Sequence, residues 1–301
     1  MNVTVAIPTF RRPEGLRRAV ESALAQSVPV SVLVVDNDPA GSARGYCEGV
    51  AGVRYIHEPR AGVSHARNTA LRAVDTRYMF FLDDDMRAGP GCVEALLKAL
   101  DKWQAGVASA AVTAVMPTGS PFEAAMQPFF SRDRDEPEGP TERYLGAGGT
   151  LFDLDLCPMP SPAFDPDLNE TGGEDDRLLG HLYGEGVTLL WVPSARTEED
   201  VPLRRATLAY VWTRNFAFGQ GPTQGAADEA MDGGVFAWAG VVKWMLVGVV
   251  QTVLRLPAWV LTRAAKSPAN VTAHARLAQG LGKVLWWGGF KPRLYGAAML
   301  A

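Results

Sequence analysis

Cysteine, histidine and the short phosphate-binding signatures are scarce in this chain. Its 301 residues carry three cysteines, Cys47, Cys92 and Cys157, with no Cys-x-x-Cys pair. That argues against a disulfide framework and a cysteine zinc site, and for a reducing, cytosolic compartment. His57, His65, His181 and His274 are scattered without metal-ligand spacing. No Gly-x-Gly-x-x-Gly follows the first apolar run and no Gly-Lys-Ser/Thr loop occurs, which weakens dinucleotide and P-loop readings. The opening Asn2-Val3-Thr4-Val5-Ala6-Ile7 has no basic stretch leading into an apolar one, so no secretion signal is expected. Acidic residues are missing altogether after Asp232, where Lys243, Arg255, Arg263, Lys266, Arg276, Lys283, Lys291 and Arg293 follow.

What is present is a globular body, 47% hydrophobic with a net charge of -4. The tail carries +8 and the rest -12, and five of the eight tryptophans (Trp238, Trp244, Trp259, Trp286, Trp287) lie in that tail. Acidic charge over residues 1-232 argues against nucleic-acid binding. We divide the chain into a body, 1-219, a Gly-rich linker, 220-234, and a basic, Trp-rich helical region, 235-301.

Along the body, Val3 to Ile7 is an apolar run of strand length, and Pro13 opens a helix in which Leu16, Ala19, Val20 and Ala23 repeat at helical spacing. Val30 to Val35, Arg54 to Ile56 and Tyr78 to Leu82 read as further strands, with a helix from Ser64 to about Val74 between the last two. Helices are predicted over Pro90–Trp103, Glu174–Tyr183 and Leu203–Phe218, and strands over Val107–Val115, from Gly148, and over Val187–Val192. Gln127 to Thr141 reads as a polar, proline-containing loop, a candidate acceptor-side flap. The alternation predicts an α/β fold with a mostly parallel sheet flanked by helices, and ligands in such sheets sit at the carboxyl ends of strands. Thr9, Asp36 and Asp83-Asp84-Asp85 all fall there.

Three consecutive carboxylates repel one another unless a cation or basic neighbour compensates. A divalent ion shared with a substrate diphosphate would do so, since hard oxygen ligands suit Mg²⁺ or Mn²⁺; a solvated turn would also place acids there. Glu174-Asp175-Asp176 opens a helix, where acids suit the macrodipole, and Asp175 is a candidate general base. Arg67 is either an exposed helix residue or a diphosphate contact.

Taken together, Val5-Ala6-Ile7-Pro8-Thr9-Phe10-Arg11-Arg12, Val34-Val35-Asp36-Asn37-Asp38, Ala66-Arg67-Asn68, Phe81-Leu82-Asp83-Asp84-Asp85 and Gly173-Glu174-Asp175 resemble, in order and spacing, the family-2 nucleotide-sugar glycosyltransferases over residues 3 to 220. Within that family, Gly173-Glu174-Asp175 and the stretch from Val201 to Gln220 look most like the bacterial exopolysaccharide glucosyltransferases of the succinoglycan type. The resemblance implies a GT-A fold and an inverting transfer of a hexose, glucose first, from a UDP-sugar to a polyprenyl-diphosphate-linked glycan, assisted by Mn²⁺ or Mg²⁺. It places Pro8, Thr9 and Arg11 at the uridine, Asp36 at the uracil ring and Arg67 near the nucleotide. Asp83 and Asp84 go to the ribose and donor sugar, and Asp85 to the metal. Asp175 is the implied base, with Glu174 holding the acceptor or orienting that base. Relatives often carry a His before the Glu of the later strand-to-helix segment; here Thr197-Glu198-Glu199-Asp200 stands there, offering Glu198 as a third metal ligand, or none. A sugar nucleotidyltransferase would share the sheet but carry a Gly-rich first loop, and a membrane-tethered scaffold would keep the fold without turnover.

In the tail, Val235 to Leu254 is long enough to span a bilayer, yet Lys243 near its middle disfavours spanning by about 2.5–3.5 kcal/mol. We expect a helical appendage lying in the interface with its basic stripe on anionic lipids, at the cytoplasmic face of the bacterial inner membrane, peripheral or monotopic. A packed helical subdomain or a homo-oligomer contact is the alternative use of this segment.

Overall fold

The computed structural model describes residues 3–120, 122–231 and 238–292. They divide into two compact units, one of residues 3–115 and 131–200, the other of 116–130 and 201–292. The first carries β1 (Val3–Thr9), α1 (Pro13–Leu24), β2 (Ser31–Asp36), α2 (Arg44–Glu48), β3 (Val53–His57), α3 (Val63–Ala73), β4 (Tyr78–Phe81), β5 (Met86–Ala88), α4 (Cys92–Trp103) and β6 (Val107–Val115). The second contributes the short α5 (Glu123–Met126), after which the first resumes with β7 (Gly139–Pro140), β8 (Thr150–Asp153), α6 (Glu174–Gly184) and β9 (Leu189–Asp200).

The strands form one sheet in the order β3-β2-β1-β4-β8-β6-β9-β5, with β7 on β9. Neighbours from β3 to β4 are parallel, as are β6 and β9, while β8 runs against β4 and β6. Period-2 alternation distributes each strand between two cores. Val5, Ile7, Val32, Val34 and Phe80 meet α1 and α4 on one face; Ala6, Leu33, Val35, Met79 and Phe81 meet α3 and α6 on the other. Burial on both faces explains why these strands read as continuous apolar runs. Pro13 stands in the first turn of α1, where its missing N–H costs nothing, and Leu16, Ala19, Val20 and Ala23 are its buried stripe.

Two expectations change. The strand predicted to stop at Val192 continues to Asp200, because a bulge lets it re-pair with β6 from Ala111↔Arg196 to Val115↔Asp200. The polar segment expected as a flap is tied to the sheet where it lies in this unit: Arg132 bridges Val112, and Gly139–Pro140 pairs with β9.

In the second unit α7 (Leu208–Met231), α8 (Ala239–Ala264) and α9 (Ala269–Val284) pack together. Residues 220–231, expected as linker, are instead the second half of α7, with Pro222 inside it; 232–234 lie outside the described residues. The glycines that suggested a loop serve close packing. A side chain on Gly219 would strike the backbone of Gln279, and one on Gly282 the backbone carbonyl of Phe216. Gly248 of α8 meets Gly280 of α9 in the same way.

Candidate active site

The loops leaving β1, β2 and β3 are stitched together by polar side chains. Asp36 is fully buried: one carboxylate oxygen accepts from the Asp38 N–H (3.0 Å), the other from the Ala43 N–H (2.8 Å) and the Tyr55 hydroxyl (3.1 Å). Asp38 accepts from Arg11 Nε at 3.0 Å, and that guanidinium holds its carboxyl below the usual range. Asn37 donates to the carbonyls of Glu58 and Arg60 and accepts from the Gly62 N–H. Pro8 and Thr9 end β1 in register with Val35 and Asp36. Asn37 and Asp38 carry as many of these bonds as Asp36 does, and their turn-forming residue types were the available signal.

Basic neighbours compensate the three acids after β4: Arg12 takes Asp84 and Asp85, and Arg67 takes Asp83. Asp84 is the buried one; it accepts from Thr9 Oγ1 (2.9 Å), the Phe10 N–H (3.2 Å) and Arg12 Nη1 (2.8 Å). Burial pushes its carboxyl up to about 6, with Arg12 pulling the other way. The same Arg12 nitrogen donates to Asp85 at 2.6 Å. Asp83 accepts from Arg67 Nη2 at 3.1 Å, while its other oxygen lies so close to Gly148 that a side chain there would displace the carboxylate. Gly15 plays the corresponding part on α1, whose first turn rests against the Asp84 carbonyl. The sequence alone assigns no site role to Arg12, which stands in the first motif, to Gly15, or to Gly148, which reads only as a strand start. Only a lack of room for Cβ identifies the glycines, and that is a property of the folded backbone.

Arg67, expected near the nucleotide, is buried between acids: Nη1 donates to Glu174 at 2.7 Å, Nη2 to Asp83, and the guanidinium lies over the Phe164 ring. It thereby links α3, the end of β4 and the first turn of α6. Glu174 is buried beside it, its carboxyl raised by burial and lowered by Arg67. Asp175, next along α6, accepts from the Ala147 N–H at 3.3 Å and touches the Gly146–Gly149 turn. Desolvation, then Asp175 and Glu174, push the Asp176 carboxyl up to about 6, although the residue lies exposed in the first turn of α6. Arg67, Asp83, Glu174 and Asp175 are therefore brought together, with Asp84 and Asp85 joined behind them through Arg12.

Glu198 goes elsewhere. It pairs in register with Arg87 of β5 and accepts from that guanidinium at 3.0 and 3.2 Å, while Asp200 is taken by Arg87 and Arg18. Alternation along β9 gives Glu198 and Glu199 opposite faces of the strand; Glu199 lies 3.5 Å from Arg132. No group of three His, Cys, Asp or Glu side chains able to cage a metal occurs among the described residues.

A mostly parallel sheet between helices, with acids gathered at the strand ends, is the nucleotide-sugar transferase arrangement of GT-A enzymes. The chain belongs to glycosyl transferase family 2, whose family model matches residues 4–156, and it is a glycosyltransferase. It is similar to the succinoglycan biosynthesis protein ExoM of Rhizobium meliloti, 28% identical over 229 residues covering 73% of this chain and 74% of that one. In fold it is similar to Staphylococcus aureus TarS 1-349, solved in complex with UDP-GlcNAc (TM-score 0.52, 14% identity, 67% of this chain and 59% of that one). It is similar also to GalNAc-T7 solved with UDP, GalNAc and Mn²⁺ (TM-score 0.53, 16% identity, 70% and 47%). The chain thus spans about half to three fifths of those two structures. Family membership removes the nucleotidyltransferase alternative.

Proposed function

We propose that this glycosyltransferase moves a hexose, glucose first, from a UDP-sugar to a polyprenyl-diphosphate-linked glycan in exopolysaccharide synthesis, by one inverting displacement with Asp175 as the base. The observation that carries this is the carboxylate pair beside one turn: Asp175 against Gly146–Ala147, Asp83 against Gly148. Asp175 would take the acceptor hydroxyl proton as that oxygen bonds to the anomeric carbon. The bond from that carbon to the diphosphate oxygen breaks, and UDP leaves with the electron pair on the opposite face. Arg67 keeps Glu174 and Asp83 paired, so that the base helix and the donor acids hold a fixed spacing. Pro8, Thr9, Arg11 and Asp36 form the nucleotide end of this reading, where Asp36 shapes the loop through its internal bonds. The UDP-sugar held by TarS and the succinoglycan role in the name of the Rhizobium protein support the donor and pathway assigned here.

The acids fit a divalent ion in a limited way. Side chains of Asp83 and Asp85 keep 31% and 17% of their surface, against 7% for Asp84, so two carboxylates rather than three are open to one. That suits Mn²⁺ or Mg²⁺ held by Asp85 and Asp83 together with the substrate diphosphate, where it would offset the charge of the leaving group. Glu198 joins such a site only by leaving Arg87.

The helical unit fits a membrane role. α8 is long and apolar enough to cross a bilayer, with mean hydropathy 1.5 and only 6% of its apolar window buried. Lys243 lies over Trp244 and Arg263 over Trp259, giving cation–aromatic pairs of the kind found at an interface. We assign it to peripheral or monotopic binding at the cytoplasmic face of the inner membrane, where a lipid-linked acceptor would be presented.

The test is Asp175→Asn. Thermal stabilisation by UDP with Mn²⁺ should match the wild type, since a ligand that binds the native state raises its stability. Transfer should fall about 10²–10⁴-fold. Retained transfer, or loss of UDP binding with it, would overturn the base assignment. UDP stabilisation that does not respond to Mn²⁺, or persists unchanged in Asp85→Ala, would overturn the metal assignment.

A further inference from the structure

Arg132 lies beside the proposed base and has no part in the reaction just described. Its backbone is fixed by an isolated bridge to β6: its N–H donates to the Val112 carbonyl at 2.8 Å and its carbonyl accepts from the Val112 N–H at 3.1 Å. From that anchor the guanidinium reaches over the Gly146–Gly149 turn, where Nη2 donates to the Gly148 carbonyl at 3.1 Å and stands 3.5 Å from Glu199. Nε is buried without a partner, so the Nη groups carry these contacts.

A Cβ on Gly146 would lie 3.3 Å from Arg132 Nη1 and 3.1 Å from Asp175 Oδ2, so cation and carboxylate both border the space left by this glycine. Gly146 also holds φ +79°, which side chains rarely adopt. The adjoining Ala147 N–H donates to Asp175 Oδ2, while Oδ1 accepts from the N–H of Asp176 within α6. The helix therefore fixes one oxygen of the base and the turn fixes the other.

We infer that Arg132 is a positioning residue: it clamps the Gly146–Gly149 turn by the Gly148 carbonyl, and the Ala147 N–H of that turn sets the direction in which Asp175 faces the acceptor. The inference rests on Asp175 being the base. A guanidinium suits the task because it reaches the carbonyl and Glu199 from one planar group. Loss of the clamp lets the turn move, and a displacement of about 1 Å at a reacting group costs about 10²-fold in rate.

The test uses the full chain with Arg132→Gln and Arg132→Lys, reading amide hydrogen exchange, UDP affinity, and UDP release from UDP-glucose. In Arg132→Gln, exchange over 146–149 should quicken at least about tenfold while β2 keeps its protection, and kcat should fall about 10–100-fold with UDP affinity and donor KM unchanged. Arg132→Lys, which keeps one donor and the charge, should recover part of both. Unchanged exchange in the turn would overturn the clamp, as would a loss confined to KM or UDP affinity, or exchange quickened equally in β2. Turnover retained in Asp175→Asn would instead count against the base, leaving the exchange measurement to decide whether Arg132 holds the turn.

Discussion

Residues 3–115 and 131–200 bury charged side chains and pair them, whereas α7 and α9 bury glycine and uncharged polar groups and α8 leaves apolar side chains outside. In the first unit Asp36, Asp84 and Arg67 are each nearly inaccessible and each bound by several partners, Glu174 is buried against Arg67, and Arg77 holds the buried Asp153 with two bonds of 3.0 and 2.7 Å. In the second, close backbone approach at Gly219, Gly248 and Gly282 joins the helices, while Leu246, Val253, Leu254 and Leu261 keep 60–71% of their surface. Buried charge is costly unless paired, so it persists where it orders groups for chemistry. Exposed apolar surface on this scale is uncommon on a soluble monomer and marks a contact with something apolar.

The sharpest way to break the contrast is to remove the cation from the buried polar cluster. Arg67→Ala leaves the buried Glu174, and Asp83 beside it, without their guanidinium partner. We expect a loss of about 3–5 kcal/mol, read by urea unfolding of the first unit's signal. Arg67→Lys should recover little, since a single ammonium cannot reproduce the two-way contact. Wild-type stability in Arg67→Ala would mean that the cluster is not held by charge.

The corresponding change in the second unit is steric. Gly282→Val would drive a side chain into the carbonyl of Phe216 on the neighbouring helix. A cost of about 1–3 kcal/mol is expected, with UDP binding untouched. Equal stability would show that α7 and α9 can separate freely, and a loss of UDP binding would show that the two units are not independent in the way their contents suggest.

How much of this was legible in the sequence follows the same divide. Strand-end acids, the order of the motifs and the two-faced sheet could be read because apolar runs and carboxylates declare themselves locally. Arg67 showed its type but not its burial, since its partners come from β4's end and α6, 16 and 107 residues away. Glu198 stood as a third metal ligand, or none, and its pairing with Arg87 could not be read, because strand alternation can be counted only once the strand is known to extend to Asp200. Gly148 reads only as the start of a strand, because the contact of the Gly146–Gly149 turn with Asp175 joins residues 28 apart. In α7 the glycines and Pro222 read as a linker, because a small residue chosen for interhelical contact looks the same as one chosen for flexibility.

Acid should separate the two units as well. The Glu58 carboxyl is held down from 4.5 to about 2, chiefly by the Arg60 guanidinium and then by the Thr69 hydroxyl and the Arg60 N–H, with burial opposing. A depressed carboxyl contributes its full stability above its unfolded pKa, near 4.5, and loses it as pH falls through about 2. Because Arg60 is largely in solvent, we expect Glu58→Gln to cost only about 1–2 kcal/mol at pH 7 and nothing near pH 2, by unfolding at each pH. α8 and α9 carry no acid of their own, so the helical signal in circular dichroism should outlast the sheet on acidification.

The smallest effects are expected on the outer face of α8, and they bear most directly on why that face is apolar. Leu246→Ser, Val253→Ser and Leu254→Ser each remove a side chain already in solvent, so thermal stability should shift by no more than about 0.5 kcal/mol. If these side chains enter lipid, each change should weaken binding to vesicles of phosphatidylcholine with phosphatidylglycerol by about 1–2 kcal/mol, or roughly 5–30-fold. Removing phosphatidylglycerol should weaken all variants alike, since Lys243, Arg255 and Arg263 are untouched. Vesicle binding that ignores all three substitutions would assign the face to another partner, and a simultaneous change in sedimentation would identify that partner as a second copy of the chain.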